Sequence, residues 1–125
     1  MKRSLKKKDI PDAAKTLNKL RDLCLSLPET SERGSWGHPN FVAGKKTFVT
    51  FEFIDLRPSI AFRTDPLDVR EMARNRRFFE TPYGRGQWVS LWADIDELDW
   101  RSVNELVKRS YRSVALQRMI AKLKT

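Results

Sequence analysis

The residues best suited to chemistry are few, and His38 is the first of them. It is the only histidine, and it lies between a glycine and a proline in the stretch RGSWGHPNFVAGKKTF at 33–48. An imidazole can transfer protons or bind metals near neutral pH. However, a catalytic triad needs further partners, and a His/Cys zinc site is impossible with one histidine and one cysteine. The flanking residues are typical of a turn entering a strand, so we predict a structural role for His38, with ligand contact as the alternative.

Acidic residues cluster between 94 and 99, where Asp94, Asp96, Glu97 and Asp99 occur. Carboxylates can hold a divalent cation, but this cluster lacks the glycine and the spacing of an EF-hand loop. Acids just before a helix also interact favourably with its dipole. We therefore expect no metal and no other cofactor. The chain has no phosphate loop, dinucleotide fingerprint or nucleophile elbow, so we expect no catalytic residues and a protein that is not an enzyme.

Two helical patterns and three strand patterns must position any site. Apolar residues recur at three- and four-residue steps from about 10 to 27, and a second helix is expected to begin near Asp99. The stretches TFVTFEF, RPSIAFR and QWVSLWA alternate with a period of two, which is typical of an antiparallel sheet with one face against helices. The element order predicts an α+β fold, a two-layer α/β sandwich with the first and last helices on one face of the sheet.

The alternation also predicts which side chains face the helices. The expected core of the sheet consists of Val49, Phe51, Phe53, Ile60, Phe62, Val89 and Leu91. Trp88 and Trp92 would then lie on the outer face, near Arg57 and Arg63 if the strands are neighbours. Aromatic and arginine side chains on an open sheet can stack on bases and contact phosphates. The alternative is that loops or a second subunit cover the two indoles, because exposed tryptophans are costly.

The formal net charge of +9 is concentrated at the two ends of the chain. Residues 1–8 and residues 105–125 each carry a net charge of +5, and the remainder is close to neutral. Such arms suit contact with a polyanion, and solubilising termini are the equally open alternative. We find no signal peptide pattern and no apolar run of membrane-spanning length, so we expect a cytoplasmic protein without membrane contact. The single cysteine, Cys24, is expected to be buried and inert.

The last helix carries two apolar stripes on nearly opposite sides. Val103 and Val107 belong to the first stripe, and Leu116, Met119, Ile120 and Leu123 form the second. One straight helix cannot bury both stripes against one sheet, so we predict a break near 113–115. We divide the chain into a basic tail (1–8), one domain (9–114) and a C-terminal helical extension (115–125). The extension is expected to pack elsewhere or on a partner, and a dimer through it is one outcome.

Several motifs together resemble those of the bacterial MmcQ/YjbR-like proteins. They are LPETSERGSWGHPNFVAGKKTFVTF, followed by RFFETPYGRGQWVSLWADIDELDWRSVNELVKRSYRSVA. The resemblance runs from about Leu23 to Arg118 and implies a CyaY-like, or frataxin-like, sandwich described as a double-wing DNA-binding module. It brings no catalytic residues. The family often has proline where this chain has Leu116. Trp36, Gly37, His38 and Pro39 match a family turn.

Three functional hypotheses follow from the residues and the resemblance. The first is a non-enzymatic module that contacts DNA phosphates with little sequence preference. Its expected contacts are Lys45, Lys46, Arg76, Arg77, Arg85, Arg109 and Arg112. The second is a small-molecule or anion-binding protein, which could be an enzyme. Its expected pocket is formed by Trp36, His38, Tyr83 and Trp88. The third is a protein-interaction adaptor that uses the tryptophan-bearing sheet or the 115–125 segment.

Overall fold

An antiparallel six-stranded sheet with helices packed on it makes this an α+β fold, as the sequence predicts. The computed structural model describes residues 13–35, 38–94 and 98–123. The elements are α1 (Ala13–Leu25), β1 (Thr30–Ser35), β2 (His38–Ala43), β3 (Lys46–Ile54), β4 (Arg57–Arg63), α2 (Pro66–Met72), β5 (Phe78–Glu80), β6 (Trp88–Trp92), α3 (Trp100–Val114) and α4 (Gln117–Ile120). The strand order is β1-β2-β3-β4-β6-β5. None of the helices within these ranges has the length and apolar character needed to cross a membrane.

The inner face of the sheet is the one that the period-two pattern predicts. Val49 pairs with Phe62, and Phe62 pairs with Val89, so the three side chains lie side by side on one face. All the predicted sheet residues except Phe53 are at most 5% exposed, and they form one cluster with residues of α1 and α3. Phe53 is partly buried against the same cluster. The register is therefore confirmed, because a shift by one residue would have put the opposite set inside.

A β-bulge in β3 adds one residue that the alternation does not account for. Phe41 pairs with Val49 but Val42 pairs with Thr47, so Phe48 is the extra residue. A bulge lets two successive side chains point to the same side. Phe48 and Val49 are consequently both fully buried, and the Phe48 ring meets Tyr111 of α3 edge-on at 5.7 Å. The bulge also brings Thr47 to the outer face, where it lines a cleft described below.

Two aspartates cap the N-termini of α2 and α3, and the position of Asp99 agrees with the predicted start of the last helix. Asp65 accepts a hydrogen bond from the backbone N–H of Leu67, and Pro66 occupies the first helical turn. Asp99 accepts from the N–H groups of Arg101 and Ser102 and from the Ser102 hydroxyl at 2.8 Å. These bonds satisfy backbone donors that have no partner within the helix. They also hold the pKa of the Asp99 carboxyl below its ordinary value, chiefly through the Ser102 hydroxyl.

The C-terminal segment breaks where predicted but packs differently from the prediction. α3 ends at Val114, and Ala115 and Leu116 are extended before α4 begins. Met119 is nevertheless 0% exposed and belongs to the main core cluster, and Leu123 packs against it, so the expectation that the stripe packs elsewhere is wrong for these two residues. Because Ala115 and Leu116 are extended, the side chains of α4 do not point in the directions that a continuation of α3 would give them. Met119 therefore returns to the β2–β3 turn, within 3.7 Å of the position a Gly44 Cβ would take.

We expect Met119→Ala to lower the free energy of unfolding by about 2 to 4 kcal/mol, because it removes a fully buried side chain and leaves a cavity. Leu116→Ala is the matched control. Leu116 is 58% exposed, so this change should cost no more than about 0.5 kcal/mol. Urea unfolding of both variants measures the difference. Equal stability of the two variants would mean that the segment lies outside the core.

Candidate functional site

A cleft of about 260 Å³ opens on the sheet face that points away from α1 and α3. Side chains of β2, β3, β4 and β6 form its floor and sides, and the β5–β6 connection at 81–87 folds across one side. The lining residues are His38, Asn40, Thr47, Thr50, Glu52, Ala61, Thr81, Tyr83, Gly84 and Trp88. The position follows from the fold, because the outward side chains of four neighbouring strands meet there.

Small side chains at the centre of the sheet give the cleft its depth. Thr50 pairs with Ala61, and Ala61 pairs with Ser90, so a row of short side chains crosses three strands. The Thr50 hydroxyl donates to the Asn40 side-chain oxygen at 2.8 Å, and the hydroxyls of Thr81 and Ser90 share a hydrogen bond of 2.7 Å. These bonds fix the orientation of the polar floor without filling the space above it.

Glu52 is the ionisable group at the bottom of the cleft. The residue is only 4% exposed, and burial raises the pKa of its carboxyl group. The Tyr83 hydroxyl donates a hydrogen bond to Oε1, and the Nε2 of His38 lies 4.0 Å from the same oxygen. The second oxygen, Oε2, is buried and has no hydrogen-bond partner among the described residues. A carboxylate in this setting can accept a hydrogen bond, attract a cation or exchange a proton.

A glycine lets the β5–β6 connection lie directly on Trp88. A Cβ atom at Gly84 would stand 2.6 Å from the Cβ of Trp88 and 3.2 Å from that of Thr81. Hydrogen bonds from Gly84 N–H to Thr81 O and from Gln87 N–H to Gly84 O shape the turn. Tyr83 extends from this turn across the face, so its hydroxyl reaches Glu52 although the residue is 65% exposed.

Trp92 does not offer an open stacking surface, in agreement with the alternative in which the two indoles are covered. The Arg57 guanidinium lies 3.7 Å from the ring centroid, and the Phe79 ring stacks on the indole at 4.3 Å. Because β6 lies between β4 and β5, these two side chains approach from opposite sides. Arg57 is held by Asp94 through bonds of 2.7 and 2.9 Å. Both tryptophans are thus partly covered, Trp88 by the Gly84 turn.

The acidic cluster and the lone cysteine have structural surroundings. Asp94 pairs with Arg57, and Asp99 caps α3. Asp96 and Glu97 lie outside the described residues. Within the described ranges, no group of three or more His, Cys, Asp and Glu side chains could hold a metal ion. Cys24 is fully buried, and burial raises the pKa of its thiol far above the ordinary value, as expected for an inert cysteine.

The seven predicted DNA contacts divide between two ends of the sheet. Lys45 and Lys46 lie at the β2–β3 turn, beside the C-terminal end of α3 that carries Arg112. Arg85 lies at the same end, since it precedes Trp88, whose partner Arg63 ends β4. Arg109 is on α3, 3.9 Å from Asp68. Two of the predicted residues, Arg76 and Arg77, precede β5 and lie at the opposite end of β6.

The alternative pocket predicted from the sequence corresponds to the cleft. His38, Tyr83 and Trp88 line it, and Trp36 lies outside the described residues. Sequence reasoning missed Glu52, although the strand pattern put it on the outer face. Period-two alternation indicates an exposed side chain at that position. The loop that buries Glu52 lies about thirty residues further along the chain, where the YGRG stretch was the only signal.

Comparisons with known proteins agree with this fold. A family model described as YjbR matches residues 25–113, so the chain belongs to the YjbR family, as the motifs indicate. A solved protein of Deinococcus radiodurans with a DUF419 family domain matches with a TM-score of 0.66 and 15% identity, over 85% of this chain and 86% of that one. A Pseudomonas syringae protein matches with a TM-score of 0.59 and 13% identity, over 90% and 98%. No curated protein matches.

We expect Glu52→Gln to be more stable than the natural protein at neutral pH. The raised pKa means that the folded protein binds this proton more tightly than the unfolded chain. The free energy of unfolding therefore falls as the pH rises from about 4.5 towards the raised pKa. A neutral amide avoids that loss, so the gain should be present near pH 7 and disappear near pH 4. Urea unfolding at both pH values measures it, and a variant that is less stable at pH 7 would contradict the burial cost.

Proposed function

We propose that this YjbR-family protein binds a small ligand in the cleft above Glu52. The observation that carries the proposal is that Glu52 lines the cleft while its buried oxygen Oε2 has no hydrogen-bond partner among the described residues. Buried polar atoms in native proteins are nearly always paired, and a carboxylate is among the costliest to leave unpaired. A ligand that supplies the missing donor explains why the chain tolerates this cost.

The surroundings of Glu52 support a binding site over a purely structural carboxyl. A pocket with aromatic walls, a few convergent polar groups and a perturbed pKa is the usual form of a ligand site. Trp88 and Tyr83 provide the aromatic side chains, while Asn40, Thr50 and Thr47 provide amide and hydroxyl groups. A structural role would require only one polar partner, which Tyr83 already supplies at Oε1.

A fragment titration followed by backbone amide NMR tests this function without assuming a ligand class. A set of neutral, cationic and anionic ring fragments at millimolar concentration should include binders that shift the amides of Thr50, Glu52 and Gly84. Gly84→Ala should weaken the binding of these fragments at least tenfold, because the added Cβ cannot fit against Trp88 and the turn must move. The control is Gly34→Ala, where nothing lies within 4 Å of the added Cβ. Fragments that bind elsewhere, or none at all, would overturn the proposal.

A second candidate function, phosphate contact with nucleic acid, is favoured by the basic end of the sheet. Lys45, Lys46, Arg85 and Arg112 are exposed there, and no ion pair involving them is found among the described residues. Two further cations of this end, Arg118 and Lys122, are paired with Glu29. Contacts to phosphates position a protein on DNA without reading its sequence, so we propose a weak sequence preference.

A salt titration of duplex DNA affinity tests the second candidate. Each phosphate contact contributes about 0.9 to the slope of log affinity against log salt. Replacing both Lys45 and Lys46 by glutamine should reduce the magnitude of this slope by about two. Neutralising Arg76 and Arg77 removes the same charge at the other end of the sheet and should leave the slope nearly unchanged. The proposal that the end of the sheet with Lys45 and Lys46 contacts DNA would be contradicted if the two double variants had equal effects. It would also be contradicted if binding depended only on residues 1–8.

A further inference from the structure

We propose that the ligand of the Glu52 cleft is a small organic cation with at least one N–H group. The N–H would donate to Glu52 Oε2, and the aromatic side chains of Trp88 and Tyr83 would contact the rest of the molecule. This inference rests on the proposed function, because it names the chemical class of the ligand that the cleft binds.

The charge of the cleft is the first support. The chain carries a net charge of +9, yet no lysine or arginine lines the cleft in the part of the chain that the structure describes. The ionisable groups there are Glu52, His38 and the phenol of Tyr83. Phosphate and carboxylate ligands are normally held by Arg or Lys. In this cleft they would find no such partner and would be repelled by the Glu52 carboxylate, so the lining favours cations.

The hydrogen-bond geometry of Glu52 is the second support. Oε1 is occupied by the Tyr83 hydroxyl, which also fixes the orientation of the carboxyl group. Oε2 remains as a buried acceptor without a partner among the described residues, on a residue that lines the cleft. An N–H of an ammonium or amidinium group gives a charge-assisted bond at this oxygen, which is shorter and stronger than a bond from a neutral donor. The ligand charge also compensates the carboxylate charge that burial leaves poorly solvated.

The walls and the volume restrict the rest of the ligand. Trp88 lines the cleft beside the Gly84 turn, and Tyr83 crosses it, so an organic cation would lie next to two electron-rich rings. Such rings attract cations through their quadrupoles. A cleft of about 260 Å³ can hold a single ring with one charged group.

The proposal requires an ionised Glu52, so binding must depend on pH. Burial raises the pKa of this carboxyl, and affinity for a cation should therefore increase as the pH rises and Glu52 loses its proton. The other groups that face it are His38 of β2 and Tyr83 of the loop. A protonated His38 would repel a cation, so its deprotonation acts in the same direction. The Tyr83 hydroxyl keeps its proton as the donor to Oε1.

The test compares ring probes of nearly the same shape and different charge on the full-length protein. The probes are benzylammonium, benzamidinium, benzyl alcohol and benzoate, titrated at pH 7.5 and followed by backbone amide NMR. At least one cation should shift the amides of Glu52 and Gly84 and bind at least tenfold more tightly than benzyl alcohol, while benzoate should not bind. The affinity of the cation should fall as the pH is lowered from 7.5 towards about 4.5, the ordinary pKa of a glutamate.

Two variants assign the effect to the carboxylate. Glu52→Gln should lose at least tenfold in affinity for the cation and the part of the pH dependence that the carboxyl group contributes. Glu80→Gln is the control, because Glu80 is an exposed glutamate at the end of the neighbouring β5.

If benzyl alcohol or benzoate binds the cleft as well as the cations do, the cation inference is overturned while the proposed function stands. If no probe and no fragment binds there, both fall. Should Glu52→Gln not fold, the comparison of probes on the natural protein decides.

Discussion

The alternation of side chains between the two faces of the antiparallel sheet is the constraint on which the other features of this molecule depend. Because successive side chains point to opposite faces, burying Val49, Phe62 and Val89 against α1 and α3 forces Thr50, Ala61 and Ser90 onto the other face. No helix in the described chain needs this second face, so a polar floor with short side chains can remain there. The cleft is therefore a direct consequence of how the core is built.

The β5–β6 connection turns that polar face into a site. Its glycine packs on Trp88, and its tyrosine reaches Glu52, so a surface glutamate becomes a buried one. Removing water from the carboxyl costs stability at neutral pH, since the raised pKa favours its protonated form. The proposed ligand would offset this cost by donating a hydrogen bond to the carboxylate.

Sequence reasoning predicted those features that depend on residues close together in the chain. The strand register, the start of α3 at Asp99 and the break after Val114 all follow from local periodicity and capping chemistry. The bulge at Phe48, the return of Met119 to the core and the burial of Glu52 depend on contacts between distant segments. For Met119 the local pattern was misleading, because two extended residues changed the direction of the helix. For Glu52 alternation predicted the correct face but an exposed side chain.

The two candidate functions depend on surfaces of opposite charge. The exposed cations lie at the β2–β3 turn and the end of α3, whereas the cleft contains a carboxylate and, among the described residues, no lysine or arginine. A polyanion drawn to the basic end would be repelled by Glu52, and a cation drawn to Glu52 would be repelled by the basic end. Screening at physiological salt acts over about 8 to 10 Å. Thr47 and Gly84 line the cleft and are the direct neighbours of Lys46 and Arg85, so the basic end adjoins the cleft and the two proposed ligands would influence each other's binding.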